Sequence, residues 1–183
     1  MNPTTVDARR EASRKWVEPQ APGCFINPTV VQASGGERYR LLIPINANED
    51  SRWGIAYALQ LHRDGQPIDV CLLNIGEPIT RWEVLRFRTQ AEIDRFQSER
   101  AQSFADEAAR PLLEQNISCR GFFRQGPVVQ SILDVAAELA CDEIVMPRPH
   151  SGISRLLSRE IVGTVMCKAR DIPVVLVGRT GTR

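Results

Sequence analysis

No CxxC pair, no HExxH and no Cys/His pair at zinc-ligand spacing occurs in this sequence, and its two histidines, His62 and His150, lie far apart in the chain. A zinc site of the usual kinds has no ligand set to build on. Charge of one sign is lacking too: 23 basic residues against 22 acidic ones leave a net charge of +1, so no global field argues for nucleic acid. No apolar run approaches the ~18–20 residues of a membrane span. The N-terminus has no secretory apolar region; it is Arg-rich, but Asp7, Glu11 and Glu18 do not suit a transit peptide. The five cysteines are odd in number, and Cys71, Cys119, Cys141 and Cys167 fall inside apolar stretches. They read as small buried hydrophobes in a reducing compartment rather than as a disulfide framework. These absences point to a cytoplasmic protein with no membrane or nucleic-acid partner and no metal.

What is present is ordinary for a globular domain: 43% hydrophobic and 25% charged residues over 183 positions. A chain of this length buries roughly 70% of its unfolded surface and needs no staples. Residues 1–38 read as an N-terminal extension. "VDARREASRKW" has the pattern of a short helix, "CFINPTVVQ" of a short extended segment, and "EPQAPG" and "ASGGE" are loop punctuation.

From residue 39 to 183 the pattern is that of one domain. "YRLLIPI" (39–45), "IDVCLLNI" (68–75), "ISCRGFF" (117–123), "DEIVM" (142–146) and "IPVVLVG" (172–178) are short apolar runs of the kind buried on both faces of a sheet. Helical spacing fills 51–65, with Asp50 or Ser51 as N-cap and Gly65 as stop. It fills 80–116, where Pro111 is expected to kink or restart the helix. It also fills 126–140 and 152–169. Strands alternating with helices imply a parallel sheet with right-handed crossovers. Ligands in such folds bind outside the carboxyl ends of the strands, at the switch point. That edge holds "NAN" (46–48) and "PRPHSG" (147–152).

The remaining residues carry little chemistry. His62 falls on the apolar face of the first helix and suits packing or capping. His150 stands in the candidate loop. Ser151 has no nucleophile-elbow context. Asp134, Glu138, Asp142 and Glu143 read as solvated charge, and Trp82, Phe87 and Phe96 as core positions of the long helix. The run "RWEVLRFRTQAEIDRFQSER" interleaves arginines with acids, the pattern of a salt-bridged helix face.

"LLIPINANEDSRWGIAYALQLHRDGQPIDVCLLNI", "GPVVQSILDVAAELACDEIVM", "HSGISRLL" and "IPVVLV" together resemble the universal stress protein family over about 39–178. The resemblance implies an α/β, flavodoxin-like (adenine nucleotide alpha hydrolase-like) three-layer sandwich. Its five-stranded parallel sheet would have the order 3-2-1-4-5. It also implies frequent dimers joined through the last strand, which here is Pro173, Val174, Val175, Leu176 and Val177.

Members of that family that bind ATP carry Gly, two residues, Gly, nine residues, then Gly-Ser or Gly-Thr after the fourth strand. Glycines there let backbone N–H groups approach phosphate, and the helix N-terminus adds its dipole. Here Pro147 falls at the first glycine, the loop is one residue short, and Pro149 takes the second. Arg159 and Glu160 stand where Gly-Ser belongs, and Gly163-Thr164 comes one helical turn too late. Each proline removes a donor. Glu160 adds a charge of the phosphate's own sign, worth about 1–4 kcal/mol of repulsion near a surface. The family's Asp that ends strand 1 and helps read adenine is Asn46 here, followed by Ala47. Arg148, Arg155 or Arg159 would offset some of the loss, and Ser151 and Gly152 keep a hydroxyl and a helix-start N–H.

The expectation is therefore a homodimeric, non-enzymatic regulatory protein with an unknown protein partner, no resident cofactor and a degenerate nucleotide loop. The alternative is an ATP- or AMP-binding module with weak or no ATPase activity. The candidate ligand residues are Asn46, Ala47, Pro147, Arg148, His150, Ser151, Gly152, Arg159 and Glu160.

Overall fold

The computed structural model describes residues 38–46, 52–76, 89–149 and 156–182. In chain order the elements are β1 (Tyr39–Ile45), α1 (Trp53–Arg63), β2 (Ile68–Gly76), α2 (Gln90–Glu114), β3 (Ser118–Gln125), α3 (Val128–Glu138), β4 (Glu143–Pro147), α4 (Leu156–Lys168) and β5 (Val174–Val177). The strands form one five-stranded sheet in the order β3-β2-β1-β4-β5, every pair parallel.

The continuous apolar runs are explained by the two covered faces. Leu41, Ile43 and Ile45 of β1 pack with Ile55, Tyr57 and Ala58 of α1 and Ala105, Ala108 and Leu112 of α2. Leu42, between them, faces the other way with Cys71 and Leu73 onto Ile132, Val135 and Ala136 of α3 and Val162 and Val165 of α4. Alternate side chains of a strand point to opposite faces, so both faces must be apolar. α1 sits close on the sheet because Gly54 has no side chain: a Cβ there would come within 2.6 Å of Ile43 Cγ2.

The structure corrects several sequence-based expectations. The N-cap of α1 is Arg52, without a side-chain cap; Asp50 and Ser51 lie outside the described residues. The long helix does not run unbroken from residue 80. Thr89 is extended (ψ 154°) and caps a helix that starts afresh, its hydroxyl accepting from the Glu92 N–H while the Glu92 carboxylate accepts from the Thr89 N–H. Nor does the helix restart at Pro111; it continues through to Glu114.

Phe96 is 62% exposed rather than core. Ile93, Ala101, Ala105, Ala108 and Leu112 form the buried stripe of α2, and Phe96 lies off it. Trp82 and Phe87 lie outside the described residues. Cys71, Cys119 and Cys141 are buried as expected, but Cys167 is exposed, two positions beyond the buried Val165 and so on the opposite side of α4.

Asp142 and Glu143 are not solvated surface charge. They open a strand flanked by β1 and β5, and Glu143 is 2% exposed. Its carboxylate accepts from the Tyr39 hydroxyl at 3.1 Å, and the Asp142 carboxylate accepts from the Arg40 N–H at 2.8 Å. Beside them Asp69 is also buried. It accepts from Ser118 Oγ and Arg120 Nη2, both at 2.6 Å, and from Arg40 Nε at 3.4 Å. This polar cluster holds together the amino-terminal ends of β1, β2, β3 and β4.

Candidate functional site

The opposite, carboxyl edge of the sheet is where the strand order reverses, between β1 and β4. Their recorded register is short, Leu41↔Glu143 and Leu42↔Ile144. Pro44, two residues on, has no N–H with which to extend it. β1 is held from its other side by β2 along its whole length, Tyr39↔Ile68 to Ile45↔Asn74. The Asn74 side-chain amide donates to the Ile45 carbonyl at 3.0 Å. The next residue, Asn46, is exposed at this edge. Asn74 was not legible as a site-supporting residue, because only the register places its amide beside the end of β1.

Across the crevice β4 ends at Pro147, which is half-buried, and runs into exposed Arg148 and half-buried Pro149. Pro147 and Pro149 have no N–H. The one between them, on Arg148, donates to the Val177 carbonyl at 2.8 Å. Of three consecutive positions at the start of the candidate cradle, two lack a donor and the third spends its donor on the sheet. Backbone recognition of phosphate by residues 147–149 is thus closed off, and what this stretch offers is the Arg148 side chain. A guanidinium can bind an anion, but as a mobile side chain rather than a fixed nest.

Arg159 and Glu160 are exposed on α4. The late Gly163-Thr164 pair is spent elsewhere: Gly163 lies within the helix, and the Thr164 hydroxyl donates back to the Glu160 carbonyl at 2.8 Å. Ala47, His150, Ser151 and Gly152 lie outside the described residues, as does Arg155. The structure therefore brings Asn46, Pro147 and Arg148 to one edge and places Arg159 and Glu160 on the following helix. His62, half-buried near the end of α1, is remote from this chemistry; its carbonyl accepts from the Gly65 N–H.

A further wall of the edge went unread in the sequence. Beyond β5 the chain turns back on itself, the Gly178 N–H donating to the Thr182 carbonyl and the Gly181 N–H to the Gly178 carbonyl, both at 3.0 Å. Gly181 is buried with φ +75°, and a Cβ there would lie 2.6 Å from the Tyr57 backbone nitrogen. Glycine meets both demands, a positive φ and contact with the backbone of α1. The two glycines of "GRTGTR" were the available signal.

β5 is the end strand of the sheet among the described residues. Val174, Val175 and Leu176 are half-buried, Val177 is buried, and Pro173 just before the strand is exposed. No group of three or more His, Cys, Asp or Glu side chains poised to hold a metal occurs among the described residues, and no described helix is long and apolar enough to cross a membrane.

The sequence model of the universal stress protein family matches residues 38–178. Among solved structures, the chain resembles the hypothetical protein MJ0577, with 20% identity, TM-score 0.59, and coverage of 77% of this chain and 96% of that one. It resembles a universal stress protein family protein from Burkholderia pseudomallei at 14% identity and TM-score 0.57, covering 79% and 98%. It also resembles an Arabidopsis thaliana family protein with AMP bound, at 12% identity and TM-score 0.53, covering 77% and 92%. At these identities the structural likeness carries the fold. No curated protein matches the chain.

Proposed function

The chain belongs to the universal stress protein family, and from that premise we propose that it is a non-enzymatic regulatory protein of the stress response. It acts in the cytoplasm by protein contacts and has lost nucleotide binding of the usual kind. The observation that carries this reading is the donor arithmetic of residues 147–149: two prolines, and an Arg148 N–H bonded to Val177. The exposed carboxylate of Glu160, at the position of the family's hydroxyl, supports it. Residues 39–183 form the acting domain, and 1–38 an extension to it.

The same reading includes a homodimer through β5. An apolar end strand left bare invites association, and pairing with its own copy covers it under a closed two-fold symmetry. Light scattering at micromolar concentration tests this; a monomer there would remove the dimer from the proposal.

A second reading has one observation in its favour, the AMP bound in the Arabidopsis thaliana relative. In it the edge remains an anion- or nucleotide-binding module, with Asn46 facing the base and Arg148, Arg155, Ser151 and Gly152 facing phosphate. Denaturing the protein as purified and analysing the supernatant for ATP, ADP, AMP and cyclic nucleotides separates the two. No released nucleotide is expected. A stoichiometric nucleotide whose affinity falls in an Arg148→Ala, Arg155→Ala double variant would replace the first reading with the second.

A further inference from the structure

α3 begins at the carboxyl edge of the sheet, after β3, with β2 between it and the β1–β4 crevice. Its approach is fixed by the Gly126 N–H, which donates at 3.2 Å to the carbonyl of Gly76, the last residue of β2. β3 and β1 stand two strand spacings apart, about 10 Å, so this helix start is separate from the candidate nucleotide loop.

The first turn of α3 is uncapped. Its N-cap is Pro127, which offers no side-chain acceptor, and no acidic residue lies in the turn. Bonding along the helix starts with the Ser131 N–H, which donates to the Pro127 carbonyl at 2.9 Å. The N–H groups of Val128, Val129 and Gln130 have no acceptor among the described residues. The Gln130 side chain is turned down the helix, its amide donating to Asp134 Oδ1 at 2.6 Å. Val128 and Val129 are half-buried and Gln130 is exposed, so the turn is open to solvent.

Every helix start offers such donors. This one adds a buried hydroxyl. Ser131 is only 5% exposed, and its Oγ forms no hydrogen bond among the described residues. A serine within a helix commonly donates to the carbonyl four residues back, as Thr164 does on α4. Ser131 instead turns towards Gly126, where a Cβ would lie 3.3 Å from its Oγ. Gly126 has φ +151°, a conformation that suits glycine, and its missing side chain leaves the hydroxyl uncrowded. A buried hydroxyl without a partner is costly. An anion at the helix start would supply the acceptor.

We propose that the amino end of α3 binds a small phosphate-bearing ligand. The phosphate oxygens accept from the N–H groups of Val128, Val129 and Gln130 and from the Ser131 hydroxyl, and the helix dipole favours the negative charge. The site uses neither Arg148 nor residues 147–149, so it holds or fails independently of nucleotide binding in the crevice.

Inorganic phosphate is the probe. The isotope-labelled full chain is titrated with it while amide shifts are followed by NMR, beside a titration with sodium chloride at matched ionic strength. Saturable shifts at 128–130 are expected with phosphate and not with chloride. Ser131→Ala should weaken binding by about 10-fold. Pro127→Asp places a carboxylate at the N-cap; it should raise the melting temperature and abolish the phosphate shifts. Shifts centred on Arg148 would put the anion in the β1–β4 crevice and overturn the proposal. So would an equal response to chloride, no saturable shift at all, or full affinity retained in either variant.

Discussion

Arg148 sits between two prolines, and half of its role can be read from that fact alone. Pro147 and Pro149 announce in the sequence that they lack donors. That the intervening N–H is bonded to Val177 depends on the pairing of β4 with β5, two segments far apart in the chain. Asp69 was illegible for the same reason. It lies in a run that reads as continuously buried, and its partners Ser118, Arg120 and Arg40 come from two neighbouring strands. Removing one partner of a buried ionic cluster leaves the others uncompensated, so Asp69→Ala should lower the unfolding free energy by about 3 kcal/mol. A denaturant midpoint unchanged from the parent protein would contradict the structural role assigned to this cluster.

The buried cysteines give the residue scale a pH dependence. Burial, reinforced by Cys71 and Asp69, pushes the Cys119 thiol up from 9.0 to about 12. Cys141 is raised as well, by its hydrogen bond with Cys71 and by burial. Burial and the Glu143 carboxylate hold the Tyr39 hydroxyl at about 12 rather than 10.0. Each group keeps its proton in the folded chain at pH values where the unfolded chain has lost it. Their stabilisation is therefore complete below about pH 9 and is lost as pH rises towards about 12. Denaturant midpoints measured across this range should fall, and Cys119→Ala should fall less steeply. Equal slopes would contradict the assignment.

At the scale of elements the sequence served well wherever period and burial agree, as in the five strands. It served less well where a boundary depends on a cap or on which stripe of a helix is covered. The charged run before and after Thr89 keeps helical spacing, so periodicity alone extends one helix through residues 80–116. The reciprocal Thr89–Glu92 bonds instead set the start of α2. A Thr at one end and a Glu three places on was the readable signal. Thr89→Ala should cost about 1 kcal/mol, with faster amide exchange confined to the first turn of α2. Unaltered exchange there would argue against the cap. Phe96 and Cys167 failed for a related reason: composition marks them as apolar, but each falls off the stripe its helix buries.

For the whole molecule, alternation of strands and helices gave the parallel sheet, and resemblance gave its order; the structure has both. The edge at which a ligand would bind follows from that order. Its occupancy does not, because residues 147–149 depart from the family's loop where backbone donors matter most. Calorimetric titration of the purified, nucleotide-free protein with MgATP therefore bears most directly on the proposed loss of nucleotide binding. No heat of binding up to millimolar ATP is the expected result. Saturable heat with one ATP per chain would contradict it, and would mean that side chains such as Arg148 do the work the missing backbone donors cannot.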